Sequence, residues 1–204
     1  MIAQSNYQLG LLPSINVNKK LSSDLKLNFK VESREVVLRD EEFAFQYELT
    51  DLSTILAKSV GLNSSIAGGY LIRIRPNEIV HRLIQQYSIT QKRTILRVSH
   101  RFLTDQTFAE DNTTLRLRYR ISNQIPLSGQ EVNASEFYLK FNNEYVNSLE
   151  DGVYDLEVRL ALYLGYEFSD HNKFELGIDK RLDSFITDQL RTRSWINLGW
   201  FISL

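Results

Sequence analysis

Three histidines, His81, His100 and His171, are the residues most open to metal ligation or proton transfer. A metal site needs several such ligands, or carboxylates, converging on one point. His171 stands in a polar turn cluster, and no such set of ligands is evident beside His81 or His100, so no metal and no cofactor is expected. Ser99-His100 pairs a hydroxyl nucleophile with a base. Adjacent residues of an extended strand point to opposite faces, so these two cannot hydrogen-bond as base and nucleophile. Ser88 and Ser122 are other hydroxyls, but no nucleophile-elbow motif surrounds them. Asp179 and Asp183 are spaced as paired carboxylates, yet Arg181 lies between them on the same face, which favours an ion-pair network over acid–base catalysis. Gly68-Gly69 suits a bulge or a tight strand contact better than a phosphate loop. No catalytic residue is therefore assigned and the chain is not expected to be an enzyme. A lipid-modifying hydrolase or acyltransferase is the enzymatic alternative.

What remains is charge, and it is patterned. Arg34, Arg73, Arg82, Arg97, Arg101, Arg116, Arg118, Arg120, Arg159 and Arg181 fall on the polar side of alternating segments. Asp51, Asp105, Glu144, Glu157, Glu175 and Asp179 fall there too. These sixteen residues are expected to form one charge network.

The elements that position them have a period of two. From Leu156 to Phe168 one face carries Leu156, Val158, Leu160, Leu162, Leu164, Tyr166 and Phe168, and the other Glu157, Arg159, Ala161, Tyr163, Gly165 and Glu167. Successive side chains of a strand alternate in this way, whereas a helix would scatter the apolar set around its circumference. The same rhythm runs through Leu25–Glu32, Leu115–Ser122, Phe174–Asp179 and Trp195–Leu204, and more weakly through Leu52–Leu62, Ile66–Arg75, Ile79–Ile89, Ile95–Asp105 and Phe137–Tyr145. Turn residues punctuate it at Ser22-Ser23-Asp24, Asn63-Ser64-Ser65, Pro76-Asn77, Gln91-Lys92-Arg93, Glu110-Asp111-Asn112, Ser128-Gly129, Asp151-Gly152 and Asp170-His171-Asn172. The longer polar stretch Thr187–Arg193 contrasts with the brief Asp170–Asn172, as extracellular loops contrast with periplasmic turns.

The 204 residues carry a net charge of -1 and no cysteine. That removes disulfides and thiol chemistry, and gives no field to recruit nucleic acid. No apolar run reaches the roughly 20 residues a spanning helix needs. A spanning strand exposes only alternate residues to lipid, so a β-barrel remains open. The large apolar residues on strand after strand, with Tyr87, Phe102, Tyr119, Tyr145, Tyr166, Phe168 and Trp200 placed near strand ends, suit lipid and its two interfaces better than a closed core. The fold class expected is all-β: a single closed antiparallel transmembrane β-barrel over residues 1–204, with a polar lumen rich in arginine and acid. Because bacterial single-chain barrels carry even numbers, about 12 strands are expected, with 10 possible if an end segment lies outside the wall. The twelfth would come from Phe43–Leu62, where the alternation changes phase near Thr50-Asp51 and marks a second strand or a bulge. Met1-Ile2-Ala3-Gln4 is too short for a signal peptide, so a mature or trimmed chain is expected. The last strand ends in alternating apolar residues and an aromatic pair. It resembles an outer-membrane assembly signal, with Leu204 where Phe or Trp is usual.

Several stretches resemble one family. They are His81-Arg82-Leu83-Ile84-Gln85-Gln86, Ser99-His100-Arg101-Phe102 with Asp105-Gln106-Thr107-Phe108, and Leu115-Arg116-Leu117-Arg118-Tyr119-Arg120. Glu136-Phe137-Tyr138 with Asn143-Glu144, and Leu164-Gly165-Tyr166, follow in the same order. Together they resemble the DUF2490 proteins from about Leu25 to the end. The resemblance implies an outer-membrane barrel of Bacteroidetes-type bacteria and, since the family has no established activity, supplies no catalytic residues. The function expected is that of a structural or accessory barrel docking to other envelope proteins. The alternative is a small pore whose arginine-lined lumen passes anionic solutes. Partners expected are outer-membrane lipid, lipopolysaccharide and another envelope protein, without nucleic acid. The near balance of acids and arginines leaves the choice between these two functions open.

Overall fold

The computed structural model describes residues 6–40, 42–109, 112–184 and 191–204. The Met1–Gln4 segment, Glu110, Asp111 and residues 187–190 of the expected long loop lie outside the described residues. Among the described residues the chain forms eleven strands: β1 (Asn6–Lys20), β2 (Leu25–Arg39), β3 (Glu42–Ser59), β4 (Ser64–Arg75), β5 (Glu78–Arg93), β6 (Leu96–Phe108), β7 (Thr113–Pro126), β8 (Glu136–Glu150), β9 (Val153–Ser169), β10 (Asn172–Asp183) and β11 (Arg191–Ser203). Each pairs with its sequence neighbours, and β1 pairs with β11 to close a barrel.

The strand number departs from the expected twelve. Phe43–Leu62 holds a single long strand, and its change of phase is a bulge. Opposite it the β2 register shifts between Arg34 and Glu35, so that Leu49 and Tyr47 oppose successive residues and Glu48 is left over. The segment that the alternation did not single out is β1, where Leu11-Leu12, Gly10 and Pro13 blur the pattern. An odd count has a topological consequence. Strands that go up and down in turn leave the first and last pointing the same way, so the closing pair must be parallel. It is, from Asn6 opposite Arg191 to Asn18 opposite Ser203. The barrel is therefore antiparallel everywhere except at this seam.

Most connections are short at both ends. One rim carries residues 21–24, 60–63, 94–95, 127–135 and 170–171, together with the end of β11; it is called here the C-terminal mouth. The opposite rim carries, among the described residues, 40, 76–77, 109, 112, 151–152 and 184. Asp151 and Gly152 both have positive φ, 49° and 79°, as a two-residue hairpin with the twist of its strands requires. The β5–β6 turn falls at Thr94-Ile95, because β5 runs on through the expected Gln91-Lys92-Arg93 turn.

The wall sorts its residues as the alternation implied. Ile15, Phe29, Leu56, Leu83, Leu117, Phe141, Leu162, Leu176 and Leu198 are among the large apolar residues exposed on the outside. Arg34, Asp51, Arg73, Arg82, Asp105, Glu144, Asp179 and Arg181 are buried inside. Aromatic residues lie partly where expected. Phe137, Tyr166, Phe174 and Trp200 oppose one another in turn across β8 to β11, each within three residues of a strand end at the C-terminal mouth. Phe137 and Tyr166 have ring centroids 4.6 Å apart, and Phe174 stacks on Trp200 at 5.6 Å. Tyr87, Phe102, Tyr119 and Tyr145 instead form a direct row across the middle of β5 to β8, away from the strand ends.

The inner wall has a second device, in which a buried glycine faces a ring on the next strand. Gly165 opposes Tyr138, Gly177 opposes Tyr163 and Gly10 opposes Trp195. In each case a Cβ on the glycine would overlap the ring. The missing side chain makes room for an aromatic plate lying flat along the wall. Of the Gly68-Gly69 pair, Gly69 is the close contact, since a Cβ there would meet Ile55 Cγ1 and the Thr54 carbonyl at 2.7 Å, while Gly68 has open space. Gly165→Ala should therefore cost about 1–3 kcal/mol through overpacking against a ring that cannot slide away, because Tyr138 Oη is held by Glu175 at 2.8 Å. Gly68→Ala should cost far less. Urea unfolding midpoints of the two variants, followed by tryptophan fluorescence, check the contrast.

Candidate functional site

Register brings the interior charges together. Asp51 opposes Arg73 directly across β3 and β4, and the two form a bidentate pair with both N···O distances 2.7 Å. Arg34, opposite Leu49 on the same strand as Asp51, bonds Glu32 at 3.0 Å and approaches Asp51 at 3.8 Å. On β9 Arg159 clasps Glu157 through two bonds of 2.9 Å, and on β10 Arg181 donates to Asp179 at 3.0 Å. The guanidinium groups of Arg34 and Arg181 both sit over the buried Trp195 ring, 5.9 and 5.8 Å from its centroid.

The densest part spans β5 to β9. Arg101 and Arg120 oppose each other directly across β6 and β7, a placement that repels. Glu144 relieves it. This carboxylate, 1% exposed, accepts from Arg101 at 3.0 Å, Arg118 at 3.1 Å and Arg120 at 2.9 Å, and lies 3.5 Å from Arg159. On β6, two strands from Glu144, Asp105 is fully buried and holds Arg116 at 2.8 Å, with Arg82 at 3.4 Å and Arg118 at 3.7 Å.

Fifteen of the sixteen residues expected in the network make these ion pairs or, for Glu175, a pair with Lys140. Arg97 is the exception. It is exposed at the C-terminal mouth, and among the described residues it has no ion pair. Lys30, Lys140, Arg193, Glu32 and Asp183 also belong to the network. Lys30 and Glu32 stood on the polar face of a recognised strand, so alternation alone could have found them. Arg193 was hidden by its assignment to a loop.

Charge in the interior is not balanced. Twelve cations share eight carboxylates in the ion pairs of the lumen. The two most heavily shared acids, Asp105 and Glu144, lie beneath the arginines they bind, while Arg101 and Arg120 retain about 30% side-chain exposure. A cavity of about 340 Å³ at mid-barrel is accordingly faced with guanidinium groups. Every lumen ion pair among the described residues joins strands no more than two apart, so the network lines the wall.

Apolar side chains also enter the lumen. Leu12, Val36 and Trp195 form one buried cluster, and Leu71, Ile84 and Leu103 another. Val36, Val80, Val146 and Trp195 each lie within four residues of a strand end at the rim opposite the C-terminal mouth, and none is more than 2% exposed. The sequence carries a signal for them. Val36-Val37, Ile79-Val80, Leu83-Ile84, Phe102-Leu103 and Tyr145-Val146 are apolar doublets, and within a strand one member of a doublet must point inward.

The histidines sit elsewhere. His81 bonds Tyr70 Oη at 2.6 Å and His100 bonds Tyr119 Oη at 2.9 Å, both on the outer face, and His171 meets the Ser203 carbonyl at 3.0 Å. Ser99 turns to the other side of the wall and bonds Thr90 at 2.9 Å.

A family model described as a protein of unknown function, DUF2490, matches residues 9–190. The match begins within β1, ahead of Leu25, and stops before β11, so it reaches further at the start and less far at the end than the resemblance from about Leu25 to the end. No curated protein and no solved structure matches the chain.

Because Glu144 serves four guanidinium groups from a buried position, Glu144→Gln should destabilise the barrel by about 3–5 kcal/mol. Arg101→Gln removes one partner of four and should cost clearly less. Equilibrium unfolding of the two variants measures the difference.

Proposed function

The chain belongs to the DUF2490 family, and from that footing we propose that it is an integral outer-membrane β-barrel, closed to free diffusion, with a structural or accessory role among other envelope proteins. The observation that carries the membrane part is the inverted distribution of polarity. The outer face exposes large apolar residues on every strand from β1 to β11, while the inside holds the ion pairs. A protein in water would gain by the opposite arrangement. Strands of 12 to 18 residues exceed the roughly 9–11 that a tilted strand needs to cross hydrocarbon. The aromatic row Phe137, Tyr166, Phe174 and Trp200 along one rim suits the boundary between acyl chains and headgroups.

The closed state is supported by the buried apolar residues of the lumen. Val36, Val80, Val146 and Trp195 are sealed from solvent although they face the interior, so side chains fill the half of the barrel away from the C-terminal mouth. The excess of lumen cations favours a second reading, a narrow passage selective for anions.

The two tryptophans separate inside from outside, since Trp195 is fully buried and Trp200 is exposed. In vesicles of brominated phospholipid, a Trp195→Phe variant, which keeps Trp200, should lose fluorescence by contact quenching. A Trp200→Phe variant should keep most of its emission. A folded, monodisperse chain in detergent-free buffer would defeat the membrane assignment. In planar bilayers the protein should give no conductance steps, whereas anion-selective steps would establish the passage instead.

A further inference from the structure

The C-terminal mouth holds a second cavity, of about 590 Å³, separate in its lining from the guanidinium-faced one. Its volume falls in the usual range for small-ligand sites. Four cations line it: Lys26 from β2, Lys92 from β5, Arg97 from β6 and Lys173 from β10. Lys92 is engaged by Glu131 of the 127–135 connection. Among the described residues no ion pair engages Lys26, Arg97 or Lys173, though Lys173 lies over the Phe201 ring at 5.2 Å and opposes Glu167 across β9 and β10. Glu167 is the one other acid of the lining. The mouth thus presents a surplus of about two positive charges, outside the network that neutralises charge deeper in.

The rest of the lining has its own character. Ser59, Ser64, Ser65, Ser88 and Thr90 bring five hydroxyls from β3, β4 and β5, and no aromatic ring faces the cavity. A planar base or an aromatic ligand would find no stacking partner. A compact polyol would find hydroxyl donors and acceptors on one side and cations on the other. A phosphate monoester carries about −1.5 to −2 charge at neutral pH, which matches the surplus. A guanidinium such as that of Arg97 fits phosphate oxygens in a two-point contact.

We propose that the C-terminal mouth is a binding site for a small phosphorylated polyol, with Arg97 and Lys173 holding the phosphate and the serine bank of β3–β5 holding the hydroxyls. The site does not depend on whether the lumen beyond it is open or sealed. Glucose 6-phosphate, glucose and inorganic phosphate serve as probes, titrated calorimetrically against the folded full-length protein in detergent at low salt. Glucose 6-phosphate should bind, inorganic phosphate more weakly, and glucose not at all. Arg97→Gln and Lys173→Gln should each weaken glucose 6-phosphate binding by about tenfold or more, the loss expected for a charge-assisted contact. Arg97→Lys should weaken it less than Arg97→Gln. Arg75→Gln, at the opposite rim, should leave it unchanged. Arg97 makes no ion pair, so Arg97→Gln should keep the wild-type unfolding midpoint, while Lys173→Gln, which also loses the contact with the Phe201 ring at 5.2 Å, is read for binding only after its own midpoint shows it folded. Absence of glucose 6-phosphate binding, equal binding of inorganic phosphate, or indifference to Arg97 and Lys173 would overturn the site. None of these outcomes bears on the bromolipid result.

Discussion

The structure turns on one requirement: charges placed inside a narrow barrel must find partners along the wall. Glu144 meets it for Arg101, Arg118, Arg120 and Arg159, and Asp105 for Arg82, Arg116 and Arg118. These contacts exist only in one register. A slip of a single residue between β7 and β8 would turn Glu144 outward and leave the guanidinium groups facing one another. Burial of ions is costly in itself, and a buried pair is often no more stable than an apolar one of the same shape. What the network gives this barrel is a specific alignment of strands. Apolar contacts on the outer face oppose a one-residue slip but not a slip of two, whereas the pairs of Glu144 and Asp105 are lost in either.

Unequal sharing of the carboxylates gives the interior its electrical character. Because Asp105 and Glu144 lie beneath the arginines they bind, only Glu32, Asp51, Glu157 and Asp179 face the cavity beside its many cations, and its surface is positive although the whole chain carries a net charge of -1. The interior also changes along its axis. Hydroxyls and a surplus of cations line the C-terminal mouth, guanidinium groups the middle, and apolar side chains fill much of the half beyond. The glycine–ring pairs keep this filling compact by letting Tyr138, Tyr163 and Trp195 lie against backbone.

Much of this was legible in the amino-acid order. Alternation in Leu156–Phe168 or Leu115–Ser122 states which side chains share a face, and the faces observed are those faces. Tight turns at Pro76-Asn77 and Asp151-Gly152 follow from residue type. Strand count was harder, because β1 contains Leu11-Leu12 and Pro13 and so lacks a clean period, while the β3 bulge imitates a strand boundary. Evenness is a habit of bacterial barrels, and nothing in a local pattern enforces it; closure of the eleventh strand on the first is a property of the whole ring. The ratio of partners was beyond reach for a related reason. Counting arginines and acids suggested balance, but which acid lies between which arginines depends on strand pairing, and some acids of the sequence lie outside the lumen. The apolar lining is within reach of the sequence, since in a doublet such as Ile79-Val80 one side chain must turn inward, and here it is Val80.

The parallel seam has a further consequence for the geometry of the chain's ends. With eleven strands the polypeptide enters the wall at Asn6 on one rim and leaves it at Ser203 on the other. In an even-stranded ring both ends emerge from the same rim and share one environment. Here a reporter joined ahead of β1 and a reporter joined behind β11 are held on opposite sides of the ring, some tens of ångströms apart. A single molecule thereby offers two attachment points that look out on different surroundings.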